Sequence, residues 1–326
     1  MKHPYLMDLN NEESWMYPIE LIGPDGHKGE DQRTIHMPEG PDRLFCVTDS
    51  IMYPDSPEAA QDYHFHEHKH GWEDFFVDSG GLDLYVNGKK SYAAPGDIIH
   101  LQPFEAHGMK FHAPTKYRGF MHGIANSDNS PVLAVLRAKN PDAMKDPAFP
   151  RSKIGGGDFY PRETPLWEEV PSEQCSSIRN INRPIETFQL DGVTMKMMVA
   201  RWENGGLCEM WAAEMKEGFT ATSVQYPIHL ELYYVTAGQV KFTVFDEEFV
   251  AGPECVVKVP KLAPFTITAL TDAVMYDVGG LPRWYAYLQD RASILKHDPE
   301  RAEKPETFEE LREKFDIQIK MAPMKK

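Results

Sequence analysis

Two ten-residue stretches, VDSGGLDLYV at 77–86 and VTAGQVKFTV at 235–244, share one pattern: an apolar run, a Gly-bearing turn, and a second run of alternating character. PGDIIHLQPFEAH (95–107) and GPECVVKVPKLAP (252–264) repeat the relation further along, in the same order. Same-length segments in the same order imply a duplicated β unit of about 80–100 residues. Short runs rich in Val, Ile, Tyr and Phe alternate with SGG (79–81), NGKK (87–90) and APGD (94–97), which predicts closely spaced strands. The chain therefore reads as all-β, with two successive lobes over roughly 44–124 and 187–280. Its 326 residues suffice for both to bury a core.

The remaining segments are expected to frame these lobes. Residues 1–45 are polar and broken by Pro, Gly and Asp, and read as an extended N-terminal arm. The first barrel is placed at 46–138 and the second at 187–285. Between them, 139–186 reads as a linker or wrapping segment, because 139–184 holds seven prolines and a GGG run. The tail, 286–326, contains ETFEELREKF, in which Thr307 and Glu310 have the spacing of a capping box and predict a short helix.

Composition excludes some partners. A net charge of −16 supplies no basic excess to displace counterions from phosphate, so nucleic acid is not expected, and anionic membrane surfaces are disfavoured. No run approaches the ~18 apolar residues of a spanning helix, and the N-terminus shows no apolar signal core. Cys46, Cys175, Cys208 and Cys255 form no CxxC and suit reduced thiols, hence a cytoplasmic location.

The chemistry is concentrated in YHFHEHKHGWEDFF, residues 63–76, where histidines occupy every second position. On a strand, His64, His66 and His68 share a face, whereas a helix would scatter them. If Lys69–Trp72 forms a four-residue hairpin loop, His68 and Glu73 become an opposed cross-strand pair. His70 then falls in the loop. His107, ending the run PGDIIHLQPFEAH, offers a fourth ligand. Three imidazoles and a carboxylate suit one divalent transition ion, Mn, Fe, Co, Ni or Zn.

These residues resemble the two cupin motifs. His66, His68, Glu73 and Gly80 follow HxH(x)4E(x)6G, and Gly96, Pro103 and His107 resemble G(x)5PxG(x)2H. The departures are Ala60 where a glycine precedes the first motif, Pro103 one position late, and Glu105 where a glycine is usual. The resemblance covers both β stretches and implies a bicupin, two jelly-roll barrels in tandem, with one metal in the first. In the second lobe Glu231 and Gly238 keep the tail of the motif. Val224 and Tyr226 stand where HxH is expected, and Pro264 or Ala263 at the position of His107, so no cage is expected there. His229 and Glu231 read as a structural pair.

Parity places Phe75 and Val77 with Glu73, and Met109 and Phe111 with His107, as wall or core. His64, Tyr85, His100, His112, Arg118 and His122 are polar candidates for a supporting role around the ligands, and Trp72 for a lid. The resemblance implies an enzyme acting on a small oxygenated substrate. Its three-His, one-Glu set is similar to that of quercetin dioxygenases, with Glu73 as ligand and proton acceptor. Non-oxidative isomerisation, decarboxylation or hydrolytic opening of a cyclic 1,3-diketone would use the same ligands, and a storage or sensing bicupin would need no intact set. The resemblance also implies a homodimer.

Overall fold

The computed structural model describes residues 3–15, 17–22, 28–38, 44–54, 65–69, 71–122, 160–162, 166–221, 223–224, 230–279, 283–315 and 320–321. The chain divides into two compact units, Trp15–Asn180 and a second made of Met1–Ser14 with Ile181–Lys326. Strands are numbered along the chain, and β1 (Leu6–Asp8) belongs to the second unit.

The first unit contains β2 (Tyr17–Ile22), β3 (Lys28–Pro38), β4 (Leu44–Met52), β5 (His66–Glu67), β6 (Trp72–Ser79), β7 (Leu82–Val86) and β8 (Lys89–Ala93). It continues with β9 (Asp97–Leu101), β10 (His107–Phe111), β11 (Thr115–His122), β12 (Tyr160–Pro161), β13 (Glu168–Glu169) and β14 (Ile178–Asn180). One sheet runs β14-β9-β6-β11-β4-β3-β2 and the other β12-β5-β10-β7-β8-β13. Alternation along each strand decides what lies between them. Glu73, Phe75 and Val77 project from β6 on one face, and across β11 and β4 the rungs read Glu73–Met121–Cys46, Phe75–Gly119–Thr48 and Val77–Tyr117–Ser50. Phe75, Val77, Leu84, Val86, Ile99, Leu101 and Phe111 close the interior. Burial of each such side chain contributes about 1.5–3 kcal/mol.

The second unit contains β15 (Glu186–Leu190), β16 (Val193–Val199), β17 (Met210–Met215), β18 (Ser223–Val224), β19 (Glu231–Ala237) and β20 (Val240–Val244). Then follow β21 (Glu247–Ala251), β22 (Cys255–Val259), β23 (Phe265–Ala269), β24 (Ala273–Asp277) and β25 (Lys320–Met321). Trp211, Tyr233, Phe242, Val257 and Met275 form its core, joined by Tyr285, Tyr287 and Leu311 from helices α1 (Arg283–His297) and α3 (Pro305–Phe315). A short α2 (Pro299–Ala302) separates the two.

The duplication holds at a fixed displacement of 158 residues, that from Glu73 to Glu231. Glu73 pairs with Leu101 as Glu231 does with Val259, and Val86 with His107 as Val244 does with Phe265. The left-handed positions recur at the same displacement: Gly80 and Gly238, Asn87 and Phe245, Gly96 and Glu254, Phe104 and Leu262.

Three expectations about the flanking segments are corrected. The described residues of the 1–45 arm are mostly strand: β1 extends the second unit's sheet through β22, and β2 and β3 extend the first unit's through β4. Of the 139–186 linker, residues 160–162 and 166–186 are described. They supply β12, β13 and β14, because the edges of the first barrel offer unpaired backbone groups that these segments satisfy. Thr307 does not cap its helix. The helix begins at Pro305, a residue pre-set for the first turn, and Thr307 Oγ1 donates to the Arg301 carbonyl at 2.7 Å.

Candidate metal centre

His66, His68, Glu73 and His107 converge, each offering one ligand atom, with all four atoms within 4.8 Å of one another. They come from both sheets. His66 on β5 pairs directly opposite His107 on β10, while Glu73 is on β6 of the other sheet. The expected β5–β6 hairpin does not form. The strands enter different sheets, and His68, just after β5, lies beside Glu73 of the other sheet. His66 Nε2 and His68 Nε2 lie 3.1 Å apart, and Glu73 Oε2 is 3.5 Å from His68 Nε2 and 3.4 Å from His107 Nε2.

The donor chemistry fits a cation. His107 Nδ1 donates to the Glu105 carbonyl at 2.8 Å, which leaves a lone pair on Nε2. That nitrogen is buried and has no hydrogen-bond partner among the described residues. It faces a carboxylate that also has only lone pairs to offer. Burial pushes the Glu73 carboxyl up, and it is held below the usual carboxylate range only by positive charge on the adjacent His68 and His107 rings; with those rings neutral, a cation has to supply that charge. A positive ion among these atoms satisfies both acceptors. Nitrogen-rich mixed ligation suits Mn, Fe, Co, Ni or Zn.

The other sequence candidates divide by face. Phe75, Val77, Met109 and Phe111 belong to the barrel interior, as parity predicted. Tyr85, His100 and His122 do not approach the ligands. Tyr85 packs edge-on against Trp167, His100 Nδ1 meets Asp74 Oδ1 at 2.7 Å, and His122 stacks on Trp72 at 4.0 Å. Each lies one residue out of phase with the interior set, so the pleat turns it to the opposite face. Trp72 is thus buried rather than a lid. Arg118 pairs with Asp49, and His112 with Asp83 at 2.8 Å. His64, His70 and His229 lie outside the described residues.

Cys46, Thr48 and Met121 share the interior face with the ligands and were not singled out in the sequence. Only the β4–β11–β6 register places them there, and no local motif announces it. The motif glycine is also reassigned. The left-handed residue before His107 is Phe104 (φ 66°), not Glu105, and its N–H donates to the His68 carbonyl. Glu105 instead braces the turn, accepting from Asn87 Nδ2 and the Gln102 N–H, both at 2.9 Å.

In the second unit Phe265, rather than Pro264 or Ala263, occupies the place of His107. Glu231 remains, but its carboxyl accepts the Tyr233 hydroxyl, and burial pushes it up to about 7. Asp277 stands where the first unit has Gly119, and burial and the charge of Glu231 raise it as well. Without the imidazole positions, this is a network of buried acids.

Two sheets packed face to face, repeated once along the chain, with three histidines and a glutamate gathered in the first barrel, define the bicupin fold. Solved structures of that fold are similar to this chain. Oxalate decarboxylase from Lactobacillus farciminis, in its formate complex, matches at 12% identity and TM-score 0.53 over 93% of this chain and 97% of that one. Bacillus subtilis oxalate decarboxylase, whose Mn(II) centres have been studied by EPR, matches at 13% and 0.53 over 100% and 88%, and its structure at pH 4.6 at 14% and 0.52 over 91% and 84%. Likeness at such identity shows the fold and leaves activity to the site. No protein-family model and no curated protein sequence matches the chain.

Proposed function

We propose that this bicupin is a metal-dependent enzyme. His66, His68, Glu73 and His107 would hold one divalent transition ion in the first barrel, to act on a small enol, diketone or polyhydroxylated ring in the manner of a dioxygenase. The observation that carries the reading is the buried His107 Nε2, without a hydrogen-bond partner among the described residues and 3.4 Å from the Glu73 carboxyl group. A bound ion would supply Lewis-acid polarisation of a substrate oxygen and a place for dioxygen. The chain's own groups do the rest. Glu73 offers a base beside the bound substrate oxygen, within reach of an enol or hydroxyl proton. Phe75, Leu101 and Met109 exclude water from that oxygen.

The test begins with elemental analysis of the purified protein. Incubation with a flavonol, a β-diketone, a cyclic diketone and oxalate follows, with and without oxygen. Oxygen uptake coupled to substrate loss is the expected result. Turnover under argon would select a non-oxidative reaction on the same ligands, and a metal-free protein that takes up no transition ion would end the proposal. Glu73→Gln should keep part of the metal and lose at least tenfold in turnover.

A further inference from the structure

The interior face that carries Glu73 also carries a buried threonine hydroxyl. Thr48 Oγ1 is buried, its residue 1% exposed, and it has no hydrogen-bond partner among the described residues. It projects from the inner face of β4, one rung beyond Cys46, over the backbone of Gly119 and beside the Phe75 ring. A Cβ at Gly119 would run into both, so the glycine gives the hydroxyl its room. Valine has nearly the same shape without the polar group. Threonine here therefore carries an uncompensated desolvation that a bound hydrogen-bonding partner would remove.

We propose that Thr48 Oγ1 is the distal hydrogen-bonding point for the substrate of the metal centre. The substrate is then a small molecule that offers oxygen to the metal at one end and an uncharged hydroxyl or carbonyl oxygen at the other. The inference rests on the metal-dependent reading above. In backbone terms Thr48 lies two strand spacings from Glu73, about 10 Å across, and one rung, about 7 Å, along. Both side chains rise from the same face of one sheet, so a ligand held at the metal would reach Thr48 by lying along that face, over Cys46 and Met121. Cys46, Phe75, Gly119 and Met121 around the hydroxyl carry no charge, so an ionised substrate end would be left unpaired there.

The test uses the cobalt(II)-loaded full chain, with binding followed through the visible cobalt bands. The probes are kojic acid and allomaltol, hydroxypyranones with the same chelating face that differ by one distal hydroxyl. The native protein should bind kojic acid about tenfold more tightly, and Thr48→Val should bring the ratio to about one, with allomaltol affinity unchanged. Equal ratios in the two proteins overturn the assignment. In the ligand-free, metal-loaded state Thr48→Val should keep or raise Tm. A lowered Tm would show the hydroxyl serving the fold and would likewise overturn it. Absence of cobalt uptake by the native protein removes the metal-centre reading and this one together, whereas normal cobalt bands with an unchanged probe ratio remove only the role of Thr48.

Discussion

At the scale of single residues, the first barrel's cage is decided by where lone pairs point. His107 has one nitrogen fixed by the Glu105 carbonyl and the other facing Glu73, so its removal takes away a preorganised ligand and leaves its neighbours in place. His107→Ala should therefore lower metal content at least tenfold by elemental analysis, with the circular dichroism of the fold retained. Phe104 immediately precedes Glu105, at φ 66°, a conformation that costs a bulky side chain about 1–2 kcal/mol. Phe104→Gly should raise Tm by a few degrees, and Leu262→Gly, at φ 63° in the second unit, should do the same. Glu231 gives a pH signature. Its folded-state carboxyl is pushed up to about 7 from an ordinary 4.5, so the fold keeps a proton that the unfolded chain releases. Stability falls as pH rises from about 4.5 to 7 and is constant outside that window as far as this group is concerned. Glu231→Gln cannot ionise. It should match the native protein near pH 4 and have the higher Tm at pH 8, with an unfolding free energy greater by about 3 kcal/mol.

At the scale of elements, the site depends on sheets meeting rather than on a hairpin closing. Two-residue alternation correctly aligned His66 with His68, but alternation says nothing about which neighbour a strand pairs with. β5 pairs with β10 and β12, and β6 with β9 and β11, so His68 and Glu73 face each other between sheets. The turns after β6 and β19 show what the duplication preserved. A Cβ on Gly80 would strike Pro114 and Thr115, and one on Gly238 would strike Asp272 and Ala273, while both glycines are left-handed. Gly80→Ala and Gly238→Ala should each destabilise by on the order of 2 kcal/mol or more, read from chemical denaturation. The three histidine positions of the candidate metal centre were not preserved, since a turn glycine serves the fold of both barrels, whereas an imidazole cage would serve only a barrel that holds an ion.

At the scale of the whole chain, the N-terminal residues belong to the unit furthest from them in sequence. β1 adds to β22, and Leu9 is fully buried. Deleting residues 1–14 should expose that edge and lower the stability of the second unit, seen as faster proteolysis within 181–326, while metal content per chain is unchanged. A homodimer remains a proposal for gel filtration, and among the described residues no helix is long and apolar enough to cross a membrane. The all-β class, the duplication and the four convergent ligands were legible in the sequence, because strand alternation, turn residues and ligand spacing are local signals. Tertiary structure alone decided the rest: that Tyr85, His100, His122 and Trp72 turn away, that Phe265 replaces His107 in the second barrel, and that Cys46 and Thr48 look in on the ligands. Those facts follow from register between strands distant in the chain. A shift of one residue there reverses every side chain, and no stretch of sequence read by itself records it.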